Sequence, residues 1–217
     1  MSLTLQGAAY SAYTRIVRLV LEEKALAYAF EEIDFISEGM GKSAHPFAKV
    51  PVLTHDGQRF FETVPICLYL EEAAGGPALL PEDAASRAHV RAAIAMLDNY
   101  IWPDIREIVT QQIFAPIAGG WPDDMLSERM EARLAKSLDA FAGHYGGGDW
   151  LVGAAFSLAD CHFAPMMDYL MQTRQGLALM EERGELAAWW ARMKKRDSLA
   201  ATAFSLEAYP FAAKSGG

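Results

Sequence analysis

At Gly75-Gly76-Pro77 the hydrophobic period of this chain changes, and the change divides it into two folding problems. Before the break, short extended runs alternate with amphipathic stripes. After it, every apolar pattern is helical. Leu3 to Gln6 alternates and stops at Gly7, as a short strand does. From Ser11 onward, Ile16, Val17, Leu19, Val20 and Leu21 fall on one helical stripe. Arg15, Arg18, Glu22, Glu23 and Lys24 take the other, polar face. Tyr28 to Asp34 reads as a second strand, and Phe35 to Ser43, with Gly39 and Gly41, as irregular or short helical structure. Val50 to Thr54 runs into His55-Asp56-Gly57, a hairpin signal, and Arg59-Phe60-Phe61 returns. Thr63 opens a helix with Ile66, Leu68, Tyr69 and Leu70 as its apolar positions; Pro65 is compatible with a first turn. The order is βαβ, then ββα.

Beyond the break, the stretch to Ala84 has few periodic positions and reads as a linker. Ser86 to about Ile117 reads as one long helix with a bend at Pro103. Asp124 to about Tyr145 reads as a second, ended by Gly146-Gly147-Gly148. Ser157 starts a third, and Glu185 to Arg196 forms another. The expected architecture is an α/β domain at residues 1–76, a linker at 77–85 and an all-helical domain at 86–217. With 217 residues, 52% of them hydrophobic, the chain can bury a substantial core. Its formal net charge of -9 repels phosphates, which argues against sequence-independent nucleic-acid binding and makes anionic membranes poor partners. No apolar stretch reaches membrane-spanning length, and no basic segment leads into an apolar one at the N-terminus. Cys67 and Cys161 make neither a metal-ligand pair nor a disulfide framework, so a cytoplasmic, reduced protein is expected. The five histidines show no metal-ligand spacing, and no metal is expected.

Four local motifs, in order along nearly the whole chain, carry a family resemblance. They are Tyr10-Ser11-Ala12-Tyr13-Thr14-Arg15 with the helix behind it; His45-Pro46-Phe47-Ala48-Lys49-Val50-Pro51-Val52-Leu53; Phe61-Glu62-Thr63 leading to Tyr69-Leu70-Glu71; and Phe156-Ser157-Leu158-Ala159-Asp160. Together they resemble the cytosolic glutathione S-transferases, and the first looks like the serine-type active-site loop of bacterial members. The resemblance implies a thioredoxin-like N-terminal domain followed by a C-terminal helical bundle. It also implies reduced glutathione as co-substrate, a small hydrophobic electrophile as second substrate, a role in detoxification and a symmetric homodimer.

The resemblance also distributes roles over the motifs. Val50-Pro51 corresponds to the family's cis proline, where Val50 N–H and C=O pair with the cysteinyl part of glutathione; from the residues alone, a trans proline opening an edge strand is equally compatible. Thr63, at a helix N-terminus, suits the γ-glutamyl carboxylate, and the Glu62 carboxylate suits the γ-glutamyl amine; a plain cap with an exposed glutamate is the bland alternative. The glycyl carboxylate needs a cation, with Lys49 ahead of Lys42 and His45. His45 stands where asparagine is common, and Ala48 where glycine is common. Ser11 falls on the catalytic serine, whose hydroxyl donates to the glutathione sulfur and favours the thiolate; an ordinary N-cap is the other role for it. Tyr13, and after it Tyr10, are alternative donors. Ser157 and Asp160 have capping-box form and belong to folding, not catalysis. The electrophile pocket is expected between the domains, with Tyr10, Tyr100, Trp102, Gln112 and Tyr169 among its walls.

The function this favours is glutathione transfer to apolar electrophiles. The alternatives are a non-catalytic ligand- or protein-binding module on the same fold, or a glutathione-dependent isomerase, dehalogenase or peroxidase.

Overall fold

The computed structural model of the protein describes residues 2–35, 39–145 and 147–205. Ile36 to Glu38 of the stretch expected to be irregular, Gly146 of the glycine break and the last residues of the expected helical domain, 206–217, lie outside the described residues. The chain divides into two compact units.

The first unit is built on a four-stranded sheet in the order β2-β1-β3-β4, with β1 at Leu3–Gly7, β2 at Ala29–Glu32, β3 at Val52–His55 and β4 at Gln58–Phe61. β1 runs parallel to β2 and antiparallel to β3, which is antiparallel to β4. Helix α1, Ala12–Glu23, makes the crossover between the parallel pair, and α2, Thr63–Ala73, follows β4. The β3–β4 hairpin turns through Asp56 (φ 46°) and Gly57 (φ 84°), both left-handed as a type I′ turn requires. Leu5, Ile16, Leu19, Leu53, Ile66 and Leu70 fill the core of this unit.

The register decides where a site can form. Gln6 lies opposite Val52, and Val52 opposite Phe61. The chain therefore leaves β1, enters β3 and leaves β4 at one end of the sheet. Gly7 leads to Ser11, Val50-Pro51 leads into Val52, and Phe61 leads into Glu62-Thr63, so three of the four sequence motifs converge there.

Two residues placed on the polar face of α1 are buried instead: Arg15 is 0% exposed and Lys24 2%. Arg15 Nε donates to the Thr202 carbonyl at 3.1 Å, and its guanidinium lies 5.0 Å from the centre of the Phe204 ring. Arg18 Nη2 donates to the Ala201 carbonyl, also at 3.1 Å. Both carbonyls lie at the C-terminal end of a short helix at Asp197–Ala201, where cations are favoured. Lys24 Nζ meets Glu71 Oε2 at 2.9 Å and the Pro77 carbonyl at 3.1 Å, and Glu71 Oε1 accepts the Leu79 N–H. The first unit thus extends to Leu79 and regains the chain at Asp197, where the sequence placed boundaries at 76 and 86 only. The physical reason is that the buried cations of α1 find their acceptors far along the chain.

Gly7 joins β1 to the α1 turn at close quarters. A Cβ there would stand 2.5 Å from both Thr14 Cγ2 and Thr14 Oγ1, and Thr14 is wholly buried. Gly7→Ala is therefore expected to cost about 1–3 kcal/mol as overpacking. A urea midpoint equal to that of the parent protein would contradict this.

The second unit is helical. Helices α3 (Ala84–Met96), α4 (Trp102–Val109) and α5 (Ala115–Ile117) follow one another through two π turns, Leu97–Ile101 and Thr110–Phe114. At Pro103, where a bend is expected, the structure shows a π turn: Pro103 has no N–H to give, and the Trp102 N–H reaches back to the Leu97 carbonyl. Helices α6 (Asp124–Tyr145), α7 (Leu158–Leu170), α8 (Arg174–Glu181) and α9 (Gly184–Met193) complete the unit, and α10 is the Asp197–Ala201 helix of the first. The core is made by Ile105, Ile108, Leu134, Leu138, Phe163 and Met166. At the head of α7, Asp160 accepts from Leu151 N–H (2.9 Å), Ser157 N–H (2.8 Å), Ser157 Oγ (3.0 Å) and Trp189 Nε1 (2.8 Å). The expected capping box is complete.

Candidate glutathione site

Ser11 is the N-cap of α1, in extended conformation, and its Oγ accepts the Thr14 N–H at 3.3 Å. That bond uses a lone pair. The hydroxyl proton is still available to a ligand, so capping and donation to a sulfur are compatible at one atom. The free N–H groups of the first turn add a positive end of the helix dipole at the same place. Tyr13 is half-buried on that first turn.

Tyr10 is placed differently from the sequence expectation. It is 3% exposed, its hydroxyl donates to Asp34 Oδ1 at 3.1 Å, and its ring packs edge-on against Phe35 at 4.9 Å. Its hydroxyl proton goes to Asp34 and its ring is buried beside Phe35, whereas the sequence expected a more open aromatic wall. The protein offers no thiol of its own here: Cys67 and Cys161 are buried, and burial pushes the Cys67 thiol up to about 12.

At the head of β3 the Val50–Pro51 peptide is cis, and Val50 lies outside the ladder, which begins at Val52. Its loop is braced to β1. Ala44 N–H donates to Gln6 Oε1 at 2.7 Å, the Ser43 hydroxyl donates to the Lys49 carbonyl, and His45 N–H donates to Ser43 Oγ. Lys49 itself is exposed. Ala48, whose N–H bonds the His45 carbonyl at 2.9 Å, has φ 49°. That left-handed conformation explains why glycine suits the position, and alanine is held there at a cost. Ala48→Gly is expected to stabilise the protein by about 0.5–1 kcal/mol. The check is a rise in urea midpoint at unchanged slope; a fall would mean the methyl packs usefully.

Glu62 closes the site. Its φ is 66° and ψ 130°, a region that L-residues rarely occupy and that concentrates at functional positions. As N-cap of α2 it makes no side-chain capping bond. Its carbonyl takes the Ile66 N–H at 3.0 Å, and Pro65 has no N–H. The donors left at this helix start are Thr63 and Val64 N–H, joined by the Thr63 hydroxyl. This is a ready receptor for a carboxylate, with the exposed Glu62 carboxylate beside it for an amine. The sequence weighed His45 only as a cation for the glycyl carboxylate. The ring is buried instead and faces Glu62, with Nε2 at 3.4 Å from Glu62 Oε1.

The pocket residues expected in the helical unit divide in two. Trp102 is 8% exposed and Tyr169 2%, with Tyr169 beside Phe114, so both are core side chains rather than open walls. Tyr100 stands out at 66% exposed on the first π turn. Gln112, on the second, donates to Asp124 Oδ1 and Ser127 Oγ and so ties that turn to α6. Among the described residues, no group of three or more His, Cys, Asp or Glu has the placement of a metal site. No described helix is long and apolar enough to cross a membrane.

Comparison with known proteins agrees over most of the chain. The family model for the glutathione S-transferase N-terminal domain matches residues 5–78, and that for the C-terminal domain matches residues 112–197. Glutathione S-transferase F14 of Arabidopsis thaliana is 30% identical over 81% of this chain and 73% of its own length. Glutathione S-transferase 3 of Zea mays is 28% identical over 96% of both. The solved structure of a glutathione S-transferase I bound with lactoylglutathione superposes with a TM-score of 0.84 at 25% identity, covering 93% of this chain and 98% of that one. With motifs, register and relatives in agreement, the chain belongs to the glutathione S-transferase family.

Proposed function

We propose that this chain is a glutathione transferase of the serine type, which ionises the thiol of bound glutathione and directs it at small apolar electrophiles. The observation that carries the proposal is the register of the sheet, which brings the Ser11 cap, Val50 and the open start of α2 to one end. Val50 N–H and C=O pair with the cysteinyl backbone. Thr63 and the α2 N–H groups hold the γ-glutamyl carboxylate, Glu62 holds its amine, and Lys49 meets the glycyl carboxylate. Each contact fixes the sulfur over the start of α1. There the Ser11 hydroxyl donates to it, and the helix end stabilises its charge. The thiol proton leaves to solvent, the thiolate forms a bond to the electrophilic carbon, and the leaving group departs with its electron pair.

Tyr13 is the second candidate donor, and Tyr100 and Gln112 remain candidates for contact with the electrophile. The bacterial affiliation rests on motif resemblance, while the relatives reported above are plant enzymes. A cytoplasmic detoxifying homodimer is proposed with the family. Phe47, 77% exposed at the tip of the Val50 loop, is the kind of side chain that a partner subunit buries. Turnover of a generic aryl halide with glutathione tests the proposal. Saturable conjugation supports it; glutathione binding without conjugation of any of a panel of halides, epoxides and peroxides would replace it with a carrier role.

A further inference from the structure

The contact between His45 and Glu62 is not explained by the fold alone. Glu62 holds a left-handed φ, makes no cap bond and has a side chain 71% exposed, so nothing in its own backbone fixes its carboxylate. The His45 side chain is 2% exposed and packs edge-on against Phe61 at 5.2 Å. Its Nδ1 accepts the Phe47 N–H at 3.1 Å. With Nδ1 occupied as an acceptor, the ring hydrogen of neutral His45 sits on Nε2, which faces Glu62 Oε1. A buried ring nitrogen thus lies 3.4 Å from the carboxylate that the proposed function assigns to the γ-glutamyl amine, close enough to attract it though not in hydrogen-bond geometry.

We propose that His45 is a positioning residue for γ-glutamyl recognition: it holds the Glu62 carboxylate in the orientation that receives the ligand's amine. This rests on the glutathione reading above. The ring has two separable jobs, since Nδ1 supports the loop through Phe47 while Nε2 reaches Glu62. His45→Asn keeps an acceptor near the Nδ1 place and loses the reach to Glu62. His45→Gln puts an amide N–H near the Nε2 place and loses the Phe47 bond.

The test is calorimetric titration of the full chain and both variants with two ligands, glutathione and its analogue lacking the γ-glutamyl amine, glutaryl-cysteinyl-glycine. His45→Asn is expected to weaken glutathione about tenfold, the scale of one charge-assisted contact, and to leave the analogue's affinity unchanged. His45→Gln is expected to stay close to the parent for both ligands. Equal weakening of both ligands in His45→Asn would make His45 a loop support only and overturn the proposal, as would no weakening at all. A parent protein that binds neither ligand would instead overturn the glutathione reading itself, and this inference with it.

Discussion

Ser11→Ala is expected to lower kcat/KM for glutathione conjugation about 10²–10³-fold, the loss that follows removal of one donor aimed at a reacting anion. The thiol of bound glutathione should then titrate closer to the free value of about 8.5, seen as a shift of the thiolate absorbance and of the acid limb of the rate profile. Alanine also removes the Thr14 N–H acceptor, which costs about 1 kcal/mol of cap stability. Ser11→Gly separates the two effects, because glycine caps nearly as well as serine but has no hydroxyl. It should melt within a few tenths of a kcal/mol of the parent and lose the same activity as Ser11→Ala. If Ser11→Gly keeps full rate with an unchanged thiol titration, Ser11 is only a cap, and Tyr13→Phe becomes the variant to examine.

The second large effect lies in the helical unit and concerns stability alone. Asp160→Ala removes the acceptor of Leu151 N–H, Ser157 N–H and Trp189 Nε1 at a position 0% exposed. With the Ser157 hydroxyl, four buried donors lose their partner together, so a loss of about 3–5 kcal/mol is expected. Burial pushes the Asp160 carboxyl above its ordinary range, while its hydrogen-bond donors pull the other way. Asp160→Asn, which keeps one acceptor oxygen, should fall between the parent and alanine in thermal melts. Whatever fraction of either variant folds should retain normal turnover per folded molecule. A variant with the parent's melting temperature and abolished activity would show that Asp160 acts in the chemistry and that its assignment to folding is wrong.

Local signals carried most of this structure. Asp56-Gly57 predicted the hairpin, Ser11 the start of α1, Thr63 the start of α2, and Ser157-Asp160 the capping box, because each depends on neighbours within a few residues. What the sequence misplaced depends on distant partners. Arg15 and Lys24 look like surface charges in a helical pattern, and only the return of the chain at Asp197 and the turn at Pro77 bury them. Tyr10 reads as an active-site aromatic until Asp34 takes its hydroxyl. Helix α8 is the exception among local features: its Thr173 cap, which takes the Gly176 N–H, is a start signal in the sequence, but the helix is only eight residues long. In the site, residue identities were legible from motifs. The strained φ of Glu62 and its contact with His45 were not, since no composition or spacing encodes them.

The central claim is that the end of the sheet marked by Ser11, Val50, Glu62 and Thr63 receives glutathione. Calorimetric titration of the protein with reduced glutathione, repeated with Glu62→Gln, measures this most directly. The account predicts saturable binding at one site per chain, weakened about tenfold or more when the Glu62 charge is removed. Binding that is indifferent to Glu62→Gln would put glutathione somewhere else on the molecule, and no binding under conditions where a known transferase responds would mean that the fold serves another ligand.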